Sequence, residues 1–126
     1  MLSLDISNDL NLLNSLHNRI FGMDIDGKVG FVLLYDNEPI GIARIKATPE
    51  ELHIVRVGVV EEYRGKGYGD FFTRCIMNGF IDVTDRIISD YVDDYFLKFG
   101  FVQDGDVMVV ESEKLVFPRK CQCGNH

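Results

Sequence analysis

Three glycines alternate with bulkier residues in Arg64-Gly65-Lys66-Gly67-Tyr68-Gly69, directly after the apolar run over residues 54–60. The glycines strip side chains from a loop and leave successive backbone N–H groups exposed. If a helix opens at the end of that loop, its unpaired amides and the positive end of its macrodipole converge on one point. That point has the size and sign of a pyrophosphate site. A strand, a bare loop and a helix in this order require a layered fold in which sheet and helix pack together.

The rest of the composition bounds what such a fold does. The chain has 126 residues, enough for one domain with a real core. No apolar run is long enough to span a bilayer, and residues 1–9 lack the basic-then-apolar layout of a signal peptide, so the protein is read as cytoplasmic, with no membrane partner. Three cysteines fit a reducing compartment better than a disulfide framework. A net charge of −7 argues against nucleic-acid binding, which draws most of its affinity from a basic surface, and favours a cationic partner over an anionic one.

Hydrophobic periodicity places the elements. Leu10, Leu12, Leu13, Leu16, Ile20 and Phe21 recur at helical spacing, which predicts an amphipathic helix over 8–21, capped by Ser7 or Asn8 and ended by Gly22. Residues 29–35 and 40–46 flank Asp36-Asn37-Glu38-Pro39 and read as a hairpin, and 52–60 as a third strand. Phe72, Cys75, Ile76 and Phe80 mark a helix after the glycine loop, and 86–89 a short strand. Val92, Tyr95, Phe96 and Phe99 form the face of a short helix, acidic at its start, with Lys98 near its end and Gly100 beyond it. Two closing strands, 101–102 and 107–111, follow. The expected fold is one α/β (α+β layered) domain over 1–118 with a mixed, mostly antiparallel sheet flanked by helices, and a separate tail over 119–126.

The loop is not a dinucleotide-binding fingerprint, because its spacing is Gly65-x-Gly67-x-Gly69 and no acidic residue ends a following strand at the right distance. Nor is it a phosphate loop of the Gly-Lys-Ser/Thr type. The segment from Val57 to Gly69 resembles the acyl-CoA-binding motif of GNAT-superfamily N-acyltransferases, Arg/Gln-x-x-Gly-x-Gly/Ala after a strand. Downstream, Tyr95-Phe96-Leu97-Lys98-Phe99-Gly100-Phe101 resembles that family's Phe-Tyr-Glu-Lys-Leu-Gly-Phe segment. The resemblance runs over roughly residues 29–110, and the stretch before Val29 is short for the family, with one helix where two are usual.

The resemblance implies roles for residues. Backbone groups of Val57, Gly58 and Val59 would pair with the pantetheine arm of acetyl-CoA, as β-augmentation does for a peptide. The N–H groups of Gly65, Lys66, Gly67, Tyr68, Gly69 and Asp70 would hold the pyrophosphate, with Arg64 adding charge or bracing the loop. The reaction implied is direct attack of an amine on the thioester, with a backbone N–H, that of Val59, facing the oxyanion and a general acid for the thiolate. Phe96 stands where the family's usual tyrosine acid would be, which leaves Tyr95 and Tyr91 as nearby hydroxyls. Ser89 stands in place of an asparagine that touches the cofactor, and Glu61 in place of a proline before the loop. His53 and Glu51 are the base candidates, and Asp90, Asp93 and Asp94 could draw in a cationic amine. The short N-terminal region implies an open acceptor site, suited to a macromolecular amine or completed by a second copy in a homodimer.

Two readings stay open at this stage: an N-acetyltransferase, and a catalytically weak or inactive acyl-CoA-binding module. Cys121, Cys123 and His126 could ligate a metal, but the Cys-x-Cys spacing and the missing fourth ligand leave the expectation of no metal cofactor. Cys75 is expected in the core.

Overall fold

In the computed structural model, which describes residues 1–117, seven strands form one sheet in the order β1-β2-β3-β4-β5-β7-β6. They are β1 (Leu2–Ser7), β2 (Gly30–Tyr35), β3 (Glu38–Ala47), β4 (Glu51–Val59), β5 (Arg86–Ser89), β6 (Val102–Asp104) and β7 (Val107–Glu111). All neighbours are antiparallel except β4 and β5, which run parallel because the helix α2 (Tyr68–Phe80) connects them. The mixed, mostly antiparallel sheet with flanking helices is the fold the sequence predicts.

The first element differs from expectation. Residues 2–7 form an edge strand paired along its whole length with β2, with Leu2 opposite Tyr35 and Ser7 opposite Gly30. The signal was the period-two alternation Leu2, Leu4, Ile6. Helix α1 (Leu10–Phe21) starts two residues later than predicted because Asp9, rather than Ser7 or Asn8, caps it: its carboxylate accepts from the Asn11 and Leu12 amides. The late short helix is a 3-10 helix over Asp94–Phe99, capped by Asp93, so Val92 lies outside it. Phe101 is buried just before β6 rather than within it.

The two helices cover opposite faces. A Cβ at Gly58 would point at Ile20 and Phe21 of α1, while the next residue, Val59, faces Gly69 of α2. The core is densest on the α2 side, where Leu52, Ile54, Phe72, Ile76, Met77 and Ile87 are all essentially inaccessible. Phe96, Phe99 and Phe101 are buried with it, and the Phe96 and Phe101 rings pack at a tilt with centroids 5.0 Å apart.

Candidate functional site

β4 pairs with β5 over four residues only, from Glu51 opposite Arg86 to Ile54 opposite Ser89. One more rung follows, from the Asp90 amide to the Ile54 carbonyl at 3.0 Å. Beyond it β4 runs on to Val59 while the other chain turns away, so the two diverge and leave an opening. The divergence begins at a bulge. Arg44 faces Arg56 and Ile45 faces Ile54, so Val55 is an extra residue on β4. A bulge bends its strand and increases the local twist. Ser89 makes the opposite bend. It is fully buried, and its Oγ donates to the Tyr91 carbonyl at 2.6 Å and accepts from the Tyr91 amide at 3.3 Å.

The free edge of β4 has a definite polarity. The Val60 amide donates to Ile40 on the β3 side at 2.8 Å. Backbone groups alternate sides along a strand, so those of Val59 and Val57 face the opening and those of Gly58 face β3. The Val59 carbonyl already accepts from Arg64 Nε at 2.8 Å, so Arg64 braces the loop against the strand. Tyr63 and Tyr68 pack on each other and on Tyr35, with centroids 5.6 to 6.1 Å apart, and pin both ends of the loop to the β2–β3 hairpin.

Gly65 and Gly67 have φ of +79° and +82°, the left-handed region in which a side chain is strained. Gly67 is also the N-cap of α2, and no side chain caps that helix. The first helical bond runs from Phe71 back to Gly67 at 3.0 Å, which leaves the Tyr68 and Gly69 amides ahead of it at the helix start. In α1 the same position is closed by Asp9. The Asp70 carboxylate turns sideways, accepting from Tyr95 Oη at 2.5 Å and Arg74 Nε at 2.9 Å, with Lys98 Nζ at 3.9 Å. Burial pushes this carboxyl up, but the Tyr95 hydroxyl, Arg74 and Lys98 together hold it below its usual range. Burial, then the Asp70 hydrogen bond, raise the Tyr95 phenol far above its ordinary value.

On the α1 side the opening widens into a cleft of about 440 Å³ lined by Phe21, Val55, Arg56, Val57, Tyr91 and Asp93. Tyr91 stands edge-on to the buried Phe96, centroids 5.4 Å apart, and burial followed by the nearby Asp93 raises its phenol. At the closed end of the opening His53 lies between Asp90 and Glu51, 2.9 Å from each. Those two carboxylates, Asp90 first, raise its pKa against a smaller opposing effect of burial. Both contacts favour the protonated imidazole, which counts against His53 as a base.

The structure thus brings Val57, Gly58, Val59, the loop from Arg64 to Asp70, Ser89, Tyr91 and Tyr95 around one opening. The bulge at Val55, Arg56 on the cleft wall, and the bond between Tyr95 and Asp70 have no signal in the sequence, because each joins distant stretches. Cys75 is half-buried, with its thiol pushed up by burial. Among the described residues no three His, Cys, Asp or Glu side chains are placed to hold a metal ion. Cys121, Cys123 and His126 lie outside the described residues. Among the described residues no helix is long and apolar enough to cross a membrane.

Comparison with known proteins agrees with this geometry. Residues 9–71, half of the chain, match the Acetyltransferase (GNAT) family. No curated protein sequence is similar enough to count as a match. Among solved structures, the ribosomal-protein-S18-alanine N-acetyltransferase of Escherichia coli is 11% identical with a TM-score of 0.73, covering 96% of this chain and 99% of its own. A GNAT family N-acetyltransferase of Escherichia coli in complex with CoA is 15% identical with a TM-score of 0.69, covering 89% and 81%. The N-acetylglutamate synthase of Neisseria gonorrhoeae, complexed with coenzyme A and N-acetyl-glutamate, is 14% identical with a TM-score of 0.66, covering 86% of this chain and 35% of its own. With half its length matched to the family and the family's fold throughout, the chain belongs to the GNAT acetyltransferases.

Proposed function

We propose that this protein transfers an acyl group, acetyl first among them, from acyl-CoA to a primary amine by direct attack. The observation that carries this reading is the open edge of β4 running into the uncapped start of α2. The strand edge left open beyond β5 and the amides at the uncapped start of α2 form a track of donors and acceptors that matches an amide-bearing arm ending in a pyrophosphate.

Acetyl-CoA supplies the acyl group activated as a thioester. Val57 and Val59 present backbone groups to its arm, while Gly58 owes its identity to contact with α1. The amides of Gly65 through Asp70 hold the phosphates, helped by the positive end of α2. Lys66 is exposed beside them, and Asp70 has its charge turned toward Arg74 and Lys98. The Val59 N–H faces the opening and supports the developing oxyanion. The amine nitrogen bonds to the acyl carbon as the C–S bond breaks, and the proton it loses balances the one the thiol gains.

Of the two hydroxyls, Tyr91 lines the cleft, and we assign it the acid's role. Tyr95 commits its proton to Asp70 and braces the phosphate end. Ser89 acts by shaping the bend that puts Tyr91 there.

A second reading, a CoA-binding module without turnover, is favoured by the complete burial of Phe96 and the commitment of Tyr95. Calorimetric titration with CoA and acetyl-CoA tests the shared step, and thiol release against polyamines, aminoglycosides, amino acids and peptides separates the two. Binding with turnover well above hydrolysis supports the enzyme, and loss of most of that turnover in Tyr91→Phe supports its acid. Absence of binding at millimolar concentration overturns both readings.

A further inference from the structure

The cleft toward α1 is lined by one cation, Arg56, and one anion, Asp93. Arg44 and Arg56 are cross-strand neighbours on β3 and β4 and share one carboxylate. Asp26 Oδ1 lies 3.2 Å from Arg44 Nε and 3.0 Å from Arg56 Nη1. Beside them His17 is fully buried and packs at a tilt against Phe21, ring centroids 4.8 Å apart. Its Nδ1 lies 2.6 Å from the Met23 carbonyl and so carries the ring proton. Its Nε2, 3.2 Å from Arg56 Nη1, accepts, because arginine only donates. Around Asp26, then, two guanidinium groups share one carboxylate, and Asp93 is the acid on the cleft wall itself.

The two arginines use their donors differently. Arg44 is folded back, with Nη1 on the Ile45 carbonyl at 2.5 Å and Nη2 3.4 Å from the Asp26 carbonyl, and Gly27 pressed against it. Arg56 lines the cleft. Its Nη1 bonds His17 and Asp26, its Nη2 reaches Asp26 at 3.5 Å, and its Nε has no hydrogen-bond partner among the described residues. A guanidinium anchored along one side and left with spare N–H donors on a cleft wall is built to take a planar anion, and a carboxylate in particular.

We propose that Arg56 selects the acceptor: an amine that also bears a carboxylate, an amino acid or a small amino-acid derivative, seated with its carboxylate on Arg56 and its amine toward Val57. This rests on the acyl-transfer reading above. The cleft, about 440 Å³, suits a ligand of that size, with Phe21 as the apolar wall. The acidity of the whole chain, which taken alone favours a cation, acts through solvent and is screened over about 8–10 Å, whereas Arg56 acts at contact.

The test uses N-acetyl derivatives of glycine, alanine and leucine, each paired with its carboxamide. These are product-like probes whose binding depends on neither turnover nor the ionisation of an amine. Titrations are followed by calorimetry and by the Arg56 Nε–H resonance in the full-length protein, with and without CoA. The acids should bind about tenfold or more tightly than the amides and move the Arg56 signal, because the amide leaves a charged donor unpaired. Arg56→Lys should keep part of that preference and Arg56→Gln should reduce the acid-to-amide ratio toward one. Equal binding of acid and amide by the unaltered protein, which needs no variant to fold, overturns the proposal, as does a preference that survives in Arg56→Gln. Failure of CoA to bind, read separately, would sink the acyl-transfer reading and leave the carboxylate preference measurable.

Discussion

The two sides of the opening are made of different material. At the α2 end the candidate phosphate site consists of main-chain amides, supplied by one continuous stretch from Arg64 to Asp70 and left uncapped by any side chain. On the α1 side the cleft consists of side chains from three separate stretches: Phe21 from α1, Val55 to Val57 from β4, and Tyr91 and Asp93 from the bend after β5. A main-chain site depends on where glycine permits the backbone to go and is indifferent to most other residues. A side-chain site depends on each residue that lines it. The first arrangement suits a ligand shared by many proteins, and the second suits whatever is particular to this one.

The largest effect that would break this contrast comes from Gly67→Glu. The residue sits at φ +82° as the N-cap of α2, so a side chain there is strained by about 1 kcal/mol and also projects a negative charge at the helix start. CoA binding should fall below detection in calorimetry while the fold, followed by circular dichroism, survives. Retained CoA affinity in this variant would mean that the uncapped amides are not the phosphate site.

The contrast also explains what could be read from the chain alone. The glycine loop was legible because its function resides in local backbone geometry, which spacing encodes directly. The strand, helix and late Phe99-Gly100-Phe101 turn around it were legible through periodicity. The α1 side was not. Arg56 reads as an ordinary polar residue in a strand until the fold sets it beside His17, 39 positions earlier, and Asp26, 30 positions earlier. Tyr95 reads as a candidate acid until Asp70, 25 positions away, is found to hold its proton. β1 did carry a signal, the alternation of Leu2, Leu4 and Ile6, but six residues are few against an adjacent, stronger helical pattern.

Gly58 lies where the two sides meet, and Gly58→Ala asks whether they are separable. The new Cβ would stand 2.5 Å from Ile20 Cγ2 and 2.7 Å from Phe21 Cζ. Both are side-chain atoms on the last turn of α1 that must move aside, and overpacking of this kind costs about 1–3 kcal/mol. Chemical denaturation should show a loss near the middle of that range. Because Gly58 turns its backbone toward β3, CoA affinity should change far less than stability, and the acceptor cleft, walled by Phe21, should bear the damage. A CoA affinity that falls in step with stability would show that the main-chain and side-chain sites are one unit.

The smallest effect lies at the closed end, where β4 and β5 stop pairing. His53 there bridges Glu51 and Asp90, and both carboxylates raise its pKa in the folded state above the ordinary 6.5. The linkage has a definite sign. A group that binds its proton more tightly when folded stabilises the fold fully at pH below its unfolded pKa, and that contribution fades as pH rises through the folded pKa. The unfolding free energy of the parent minus that of His53→Gln should therefore be greatest below pH 6.5 and decline above it. The side chain is about one-third exposed, so solvent screening keeps the change under about 1 kcal/mol. Glu51 is itself held below its usual carboxylate range, by His53 first and Arg86 second, so its protonation lies well below this window and does not confuse the slope. A difference that stays flat with pH would mean that the last rung between β4 and β5 is held by the Asp90 amide alone, and that the point where the opening begins is fixed by backbone, like the phosphate end, rather than by charge.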